Sequence, residues 1–223
     1  MHLPEYEKIA ASKRVPGQQP ANLSVIEEGA ATGEVAALYN HFRTHFGRPD
    51  VPGILKCFAT HPPLLKHMMA LSESLIFSEG HLTRKHKEMI ATLVSQQNAC
   101  PYCVDSHAYF LRVHGGSSQV LAAIQANHLH SPALTQTEQQ LLGFAARVNR
   151  ESHKITPADV ERLQQSGWNE DQIAEAVHVV SLFATFNRVA NAFGLASQGL
   201  LNLFENESNT PSDHDATVNG SAQ

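Results

Sequence analysis

Charged residues are scarce in this chain, and cysteine is scarcer still. Asp, Glu, Lys and Arg make up 17% of the 223 residues, and there are three cysteines. Three cysteines are too few for the disulfide framework of a small secreted scaffold. The formal net charge is −5, so neither nucleic acid nor an anionic membrane surface is expected as a partner.

Long apolar runs are missing as well. No stretch approaches the roughly 18 uncharged apolar residues that a membrane-spanning helix needs. The first residues, MHLPEYEKIAASKR, carry charges throughout and contain no apolar signal segment. We therefore expect a cytoplasmic protein with no membrane partner.

Period-two alternation, the pattern of half-buried strands, is also absent over any useful length. Apolar residues instead follow helical spacing, as in the series Val35, Leu38, Tyr39, Phe42 and Phe46. Typical N-terminal signals, among them Thr83, Thr135-x-x-Glu138 and Asn169-x-x-Gln172, precede several of these segments. The sequence predicts an all-α fold.

Composition divides the chain into three parts. Residues 1–30 contain scattered Pro and Gly without periodicity, and we expect an extended N-terminal arm that wraps the body or a partner subunit. Residues 31–204 carry the helical pattern, with the motif of interest within about 60–130. Residues 205–223 hold four acids and no Lys or Arg, and their few apolar side chains predict a disordered acidic tail.

The segment EMIATLVSQQNACPYCVDSH contains the residues with the clearest chemistry. Two of the three cysteines, Cys100 and Cys103, form a Cys-x-x-Cys pair with His107 four residues further on. At about 100° per residue these three side chains share one helical face. Pro101 suits the first turn of a helix, so we expect Cys100 at the helix entrance and Cys103 within its first turn.

This arrangement favours thiol chemistry. Free N–H groups and the dipole at a helix N-terminus stabilise a thiolate. An imidazole can accept the thiol proton, and a carboxylate such as Glu88 can orient that imidazole. A second thiol in reach can trap a sulfenic acid as a disulfide.

The full pattern, Glu88-x11-Cys100-x2-Cys103-x3-His107, resembles the active-site signature of the alkylhydroperoxidase D / carboxymuconolactone decarboxylase superfamily. The chain is most similar to the peroxidase-related branch of that family, over about residues 50–200. The resemblance implies an alkylhydroperoxidase D-like helical bundle and favours two related helical halves. It also implies a homo-oligomer, either a dimer, a trimer or a hexamer.

The resemblance further implies a peroxidase with no bound cofactor. Cys103 would attack the hydroperoxide, Cys100 would resolve the product to a Cys100–Cys103 disulfide, and an external dithiol or protein reductant would reduce it. His107 would act as the base and Glu88 as its proton-relay partner. The chain departs from well-known members at Tyr102, which stands where they carry a second histidine.

Three alternatives to a peroxidase stay open. The protein could be a thiol–disulfide carrier or adaptor without strong peroxidase activity. The cysteine pair and His107 could instead belong to a structural zinc site, for which Cys-x-x-Cys is also a suitable spacing. A decarboxylase-like enzyme acting on a lactone acid is the third, although such relatives generally lack the cysteine pair.

A shift of 87 residues places Glu175 on Glu88 and Asn187 on Cys100, a weak internal echo of the motif. Asn187, Arg188 and Asn191 are polar residues in an otherwise apolar helix, and they could be capping groups, ion-pair or subunit contacts, or part of the pocket. Other candidates have ordinary explanations. Cys57 is expected to be a small buried side chain, while the pairs His41/His45 and His128/His130 are expected to be solvated surface residues.

Overall fold

The computed structural model describes residues 22–202, and within that range the chain forms helices and no strand. The predicted all-α fold is confirmed. The α-helices are α1 Gly33–Phe46, α2 Gly53–Lys56, α3 Pro62–Ser72, α4 Arg84–Gln97, α5 Pro101–Val113, α6 Ser118–Gln125, α7 Gln136–Glu151, α8 Pro157–Gln165 and α9 Glu170–Phe193. A π-helical turn, Glu73–Phe77, continues α3, and 3-10 turns lie at Glu28–Ala30 and Ser152–Lys154.

The helix starts follow from local capping. The Thr83 side chain accepts a hydrogen bond from the backbone N–H of His86, and Thr135 and Asn169 form full capping boxes at α7 and α9. Two other helices are less regular. Helix α2 ends after a single turn at Lys56, and the helix that begins at Pro62 changes to π-helical geometry after Ser72.

Part of the predicted N-terminal arm lies within the described range. The backbone N–H of Asn22 donates to the carbonyl of Phe193 at 2.8 Å, and Glu28 accepts from Arg43 and from the backbone N–H of Val51. Residues 22–30 therefore rest on the helical body. The remainder of the arm and the predicted acidic tail at 205–223 lie outside the described residues.

Helix α4 occupies the centre of the fold. Nine consecutive residues, from Lys87 to Ser95, are buried, because α5, α6, α7 and α9 all pack against this helix. Burial on every side requires a partner for each polar group. The charged members of the buried run, Lys87 and Glu88, meet this requirement in different directions.

Lys87 joins α4 to α9 and to the π-helical turn. Its ammonium lies 2.8 Å from the Glu175 carboxylate, and it donates to the carbonyls of Leu75 and Ser78 at 2.8 and 3.2 Å. Glu175 also accepts the backbone N–H of Leu82 at 2.6 Å. This buried cluster fixes the end of the π-helical turn, whose side chains line the cavity described below.

Helix α9 is long and apolar enough to cross a membrane by length and composition, with a mean hydropathy of 1.2 over its most apolar window. In this structure 56% of that window is buried. The helix packs against α4, α5, α7 and α8, so its apolar residues are accounted for by the core of the domain. Cytoplasmic localisation stays a prediction.

We predict that Lys87→Met destabilises the protein by about 3–5 kcal/mol, because the substitution leaves the buried Glu175 carboxylate without its counter-charge. Urea unfolding followed by circular dichroism measures the change. The matched control is Lys154→Met, which breaks an exposed ion pair with Glu151 and should leave the unfolding midpoint almost unchanged. Equal effects of the two substitutions would contradict this account.

Candidate active site

A tight connection between α4 and α5 positions the cysteine pair. Ala99 adopts a positive φ of 48°, a conformation that costs a non-glycine residue roughly 1–2 kcal/mol. The backbone N–H of Cys100 then donates to the carbonyl of Ser95 at 3.0 Å. Cys100 becomes the N-cap residue of α5 and Pro101 its first residue. Cys100 therefore stands at the helix entrance and Cys103 in the first turn.

The two sulfurs are reduced and inaccessible. Cys100 is 0% exposed and Cys103 3% exposed. They form a small apolar cluster with Tyr102 and Ala190, separate from the main core. The side chains of Ile54 and Leu195 pack over this cluster. Both thiols are therefore closed to solvent.

The two sulfurs differ in the hydrogen-bond donors around them. The Cys103 thiol donates to the Cys100 sulfur, which lowers the pKa of Cys100 despite its burial. The backbone N–H groups of Cys103 and Tyr102 and the Asn187 side chain also donate to Cys100. Donation to Cys100, together with burial, raises the pKa of Cys103. The two thiols are therefore in mutual contact, and Asn187 lies beside both of them.

Glu88, His107 and Arg84 form a continuous hydrogen-bonded chain. His107 Nδ1 lies 2.7 Å from Glu88 Oε2, and Arg84 Nε donates to Glu88 Oε1 at 2.6 Å. An ionised Glu88 accepts the Nδ1 proton, which leaves the lone pair of a neutral His107 on Nε2. Nε2 makes no hydrogen bond to any residue of the range 22–202, and His107 reaches neither sulfur by a hydrogen bond.

Glu88 is ionised although it is fully buried. Burial alone would raise its pKa, but the charges of Arg84 and His107 and their hydrogen bonds outweigh it and lower the pKa to about 2. The Arg84 guanidinium also stands 4.8 Å from the Phe77 ring centroid and 5.6 Å from that of Phe110. Arg84 was not predicted from the sequence, although its position four residues before Glu88 on a helix could have indicated the pair.

Tyr102 does not take part in this chain. Its hydroxyl accepts the backbone N–H of Ile54 at 3.2 Å, which ties α5 to the first turn of α2. Burial raises the pKa of Tyr102 well above its usual value, so the phenol is neutral at physiological pH. Tyr102 therefore anchors the backbone of Ile54, whose side chain packs against the cysteine cluster, and makes no hydrogen bond to His107.

An apolar cavity of about 740 Å³, a figure that includes its open mouth, lies beside His107. Six phenylalanines contribute to its wall, namely Phe42, Phe46, Phe77, Phe110, Phe183 and Phe186. His107, Arg48, Ser106, Tyr102 and Gln198 supply polar groups. An apolar wall with a few polar groups is the composition of a small-molecule site. Neither cysteine lines it, although Tyr102 and Ile54, which contact the cysteine cluster, do.

Asp105 holds in place the segment that follows α9. Its carboxylate accepts the backbone N–H groups of Gln198, Leu200 and Leu201 at 2.9, 3.1 and 3.0 Å. This fixes the chain after α9, which contributes Leu195 to the cover over the sulfurs and Gln198 to the cavity. Sequence reasoning missed Asp105, because its partners lie more than 90 residues away.

The structure separates the three polar residues that the sequence singled out on α9. Asn187 is fully buried beside both sulfurs. Arg188 is exposed and donates to the carbonyl of Ala184, and Asn191 donates to the carbonyl of Asn98 at 3.1 Å. The internal echo aligns Asn187 with Cys100, and in the structure these two residues are in contact. It aligns Glu175 with Glu88, but Glu175 pairs with Lys87.

The remaining candidates show ordinary contacts. Cys57 is buried as predicted, donates to the carbonyl of Gly53, and has its pKa raised by burial to about 12. His41 and His45 stack at 5.4 Å between ring centroids, and His45 pairs with Glu73 at 2.8 Å. Within residues 22–202, no three His, Cys, Asp or Glu side chains converge as a metal site would require. The zinc site stays a hypothesis.

Residues 62–128 match the sequence profile of the Carboxymuconolactone decarboxylase family. Residues 62–128 are therefore similar to this family. The match spans α3 to α6 and includes Glu88, Cys100, Cys103 and His107, which confirms the predicted family. One curated relative is the uncharacterized protein YdfG of Bacillus subtilis (strain 168), 24% identical over 60% of this chain and 88% of its own length.

Two solved structures that are described as peroxidase-related proteins are similar to this chain. An uncharacterized peroxidase-related protein from Silicibacter sp. TM1040 is 29% identical, with a TM-score of 0.69 over 81% of this chain and 93% of its own. An uncharacterized peroxidase-related protein from Ralstonia eutropha JMP134, described as an alkylhydroperoxidase AhpD core, has a TM-score of 0.72 over 83% and 96%. At 24% identity, this second likeness shows the fold alone.

The same fold also serves a different reaction. The debrominase Bmp8 has a TM-score of 0.65 over 84% of this chain and 98% of its own, at 12% identity. Carboxymuconolactone decarboxylase family domains and their structural neighbours thus include enzymes with different substrates. The fold does not by itself fix the reaction.

We predict that Glu88→Gln removes an acid dependence of stability. The folded pKa of about 2 lies below the reference value of 4.5, so this contribution is full above pH 4.5 and is lost as the pH falls toward 2. The wild type should lose about 2 kcal/mol from this group between pH 6 and pH 3. Urea unfolding at both pH values measures the loss. The Glu88→Gln variant should not show this part of the loss of stability between pH 6 and pH 3.

The control for removing a carboxylate is Glu34→Gln, at an exposed position of α1. It should follow the wild-type dependence on pH. An identical acid dependence in Glu88→Gln and the wild type would show that Glu88 is not the ionised buried group.

Proposed function

We propose that this protein is a thiol-dependent peroxidase that reduces a hydroperoxide through Cys100 and Cys103, with His107 and Glu88 moving the proton. The observation that carries the proposal is a reduced cysteine pair in mutual contact, one helical turn from a histidine oriented by a buried carboxylate. The adjacent apolar cavity can hold the organic part of a hydroperoxide.

The reaction needs two steps at sulfur. A thiolate attacks the outer oxygen of the hydroperoxide, the O–O bond breaks, and the sulfur is oxidised to a sulfenic acid while an alkoxide leaves and takes up a proton. The second sulfur then attacks the sulfenic sulfur, so that an S–S bond forms and the oxygen departs as water. An external dithiol returns two electrons and two protons by thiol–disulfide exchange. No bound cofactor enters this scheme.

His107 supplies the proton relay. Glu88 accepts the Nδ1 proton, which leaves the lone pair of the neutral ring on Nε2, and the His107 side chain lines the cavity. In the proposed reaction Nε2 accepts the proton of the reacting pair and returns it to the leaving alkoxide. Because no direct hydrogen bond joins His107 to sulfur in the resting structure, the proton travels through bound substrate or water.

Burial of the pair favours a peroxidase over a thiol–disulfide carrier. A carrier must bring its thiolate into contact with the disulfide of another protein, and that requires an exposed sulfur. Both cysteines here are buried in a cluster against which Ile54 and Leu195 pack, and a small peroxide reaches a buried sulfur more easily than a protein surface does. The predicted homo-oligomer and the identity of the dithiol reductant stay predictions.

We predict that the reduced protein consumes cumene hydroperoxide continuously when dithiothreitol is in excess. Both Cys100→Ser and Cys103→Ser should lose at least 100-fold of this turnover, because each lacks one partner of the disulfide. The variant that retains the attacking sulfur should still consume one equivalent of peroxide. The assay follows peroxide loss and, by mass spectrometry, the added oxygen.

The matched control is Cys57→Ser, which removes a buried thiol outside the pair and should keep wild-type turnover. Absence of peroxide consumption by the folded wild type, together with oxidation of the pair by a disulfide reagent, would replace the peroxidase with the carrier. The zinc content of the same sample tests the structural-metal alternative.

A further inference from the structure

The wall of the cavity beside His107 contains a buried positive charge. Arg48, in the connection between α1 and α2, lines the cavity and is 6% exposed. Among the described residues of the cavity wall, Arg48 is the only one that carries a permanent charge. A guanidinium that is removed from water is costly unless acceptors compensate it. A molecule that fills this cavity therefore meets a cation as well as the phenylalanine rings.

Asp50 pairs with Arg48 but does not line the cavity. Its carboxylate accepts from Arg48 Nη2 at 3.1 and 3.4 Å. The Asp50 side chain is 23% exposed, against 5% for that of Arg48, so water screens the carboxylate more than it screens the guanidinium. A guanidinium has five N–H donors in a fixed fork, and one carboxylate on Nη2 does not use that whole capacity. Arg48 can therefore bind a second anion beside Asp50.

The Arg48 charge and the proposed base lie at different points along α5. Arg48 lies close enough to Tyr102 for its charge to oppose the rise in the Tyr102 pKa that burial causes. His107 follows Tyr102 by five residues, or roughly 7.5 Å along the axis of α5, and both residues line the cavity. A ligand that contacts both Arg48 and His107 must therefore extend along this helix, with several carbon atoms between its two functional groups.

The carboxylates near the cavity do not oppose the binding of an anion. Glu88 does not line the cavity, and Arg84 and His107 hold its two oxygens. Asp105 does not line it either, and its oxygens accept three backbone N–H groups. An acid bound in the cavity thus meets the positive charge of Arg48 and no carboxylate of the described wall.

We propose that Arg48 is a specificity-determining residue that binds the carboxylate of an acidic substrate, so that this protein selects organic hydroperoxides that carry a carboxylate, such as hydroperoxy fatty acids. The proposal names the substrate class of the proposed peroxidase and rests on that function for its catalytic consequence. The carboxylate forms charge-assisted hydrogen bonds with the guanidinium fork. The carbon chain packs against the phenylalanine rings, and the hydroperoxide lies toward His107.

The binding of an unreactive acid tests the site without peroxide. Isothermal titration calorimetry of the reduced full-length protein compares octanoate with 1-octanol at about pH 7.5, where the acid is ionised. We expect the wild type to bind octanoate at least tenfold more tightly than 1-octanol. Arg48→Met, which keeps the apolar stem and removes the charge, should abolish this preference and leave the affinity for 1-octanol within about twofold. Arg48→Lys should keep part of the preference, because it restores the charge without the fork.

Arg43→Met is the matched control. It removes an arginine of α1 that pairs with Glu28 and does not line the cavity, so it should bind octanoate as the wild type does. If Arg48→Met does not fold, the comparison of the two ligands in the wild type and in Arg48→Lys tests the same contact. Equal affinities of the wild type for octanoate and 1-octanol, or an acid preference that persists in folded Arg48→Met, would overturn the proposal.

Turnover separates this inference from the peroxidase function. With dithiothreitol in excess, the wild type should use linoleic acid hydroperoxide with a kcat/KM at least tenfold above that for its methyl ester, and Arg48→Met should lose this ratio through KM rather than kcat. An acid preference in binding, in a protein that consumes no peroxide, would support the carboxylate site and reject the peroxidase. Peroxide consumption with no acid preference in binding or turnover would support the peroxidase and overturn the carboxylate site.

Discussion

A carboxylate sealed from water costs several kcal/mol unless its charge is balanced, and Glu88 is sealed completely. One of its oxygens meets Arg84 and the other meets His107. Both contacts require α4 to remain helical from Arg84 to Glu88 and α5 to keep its place against α4. The same balance fixes the imidazole, so the most demanding electrostatic feature of the core is also what orients the proposed catalytic base.

The cysteine pair depends on that arrangement through the short connection from α4 to α5. Ala99 takes a left-handed conformation there, and the resulting turn delivers Cys100 to the helix entrance beneath α9. The buried amides of Asn98 and Asn187 complete the contact between α4, the pair and α9. The charged chain at Glu88 and the neutral amides at Asn187 thus approach the pair from different directions.

Features that depend on neighbouring residues could be predicted from the sequence. The caps at Thr83, Thr135 and Asn169, the all-α class and the helix-entrance position of Cys100 are set within four or five residues. The family pattern led to the contact between Glu88 and His107. Three other features depend on contacts between residues far apart in the chain, so no local sequence pattern predicts them. They are the hydrogen bond between Tyr102 and Ile54, the hydrogen bonds of Asp105 to the segment after α9, and the π-helical turn after α3.

The cover of Ile54 and Leu195 changes what a measured rate constant describes. A sulfur that is closed to solvent reacts in proportion to its intrinsic nucleophilicity multiplied by the fraction of molecules whose cover is open. Substitutions that loosen the contact between Tyr102 and Ile54 therefore act on reactivity without altering the thiolate. At high oxidant concentration, opening itself becomes the slow step, and structurally unrelated oxidants converge on a single limiting rate.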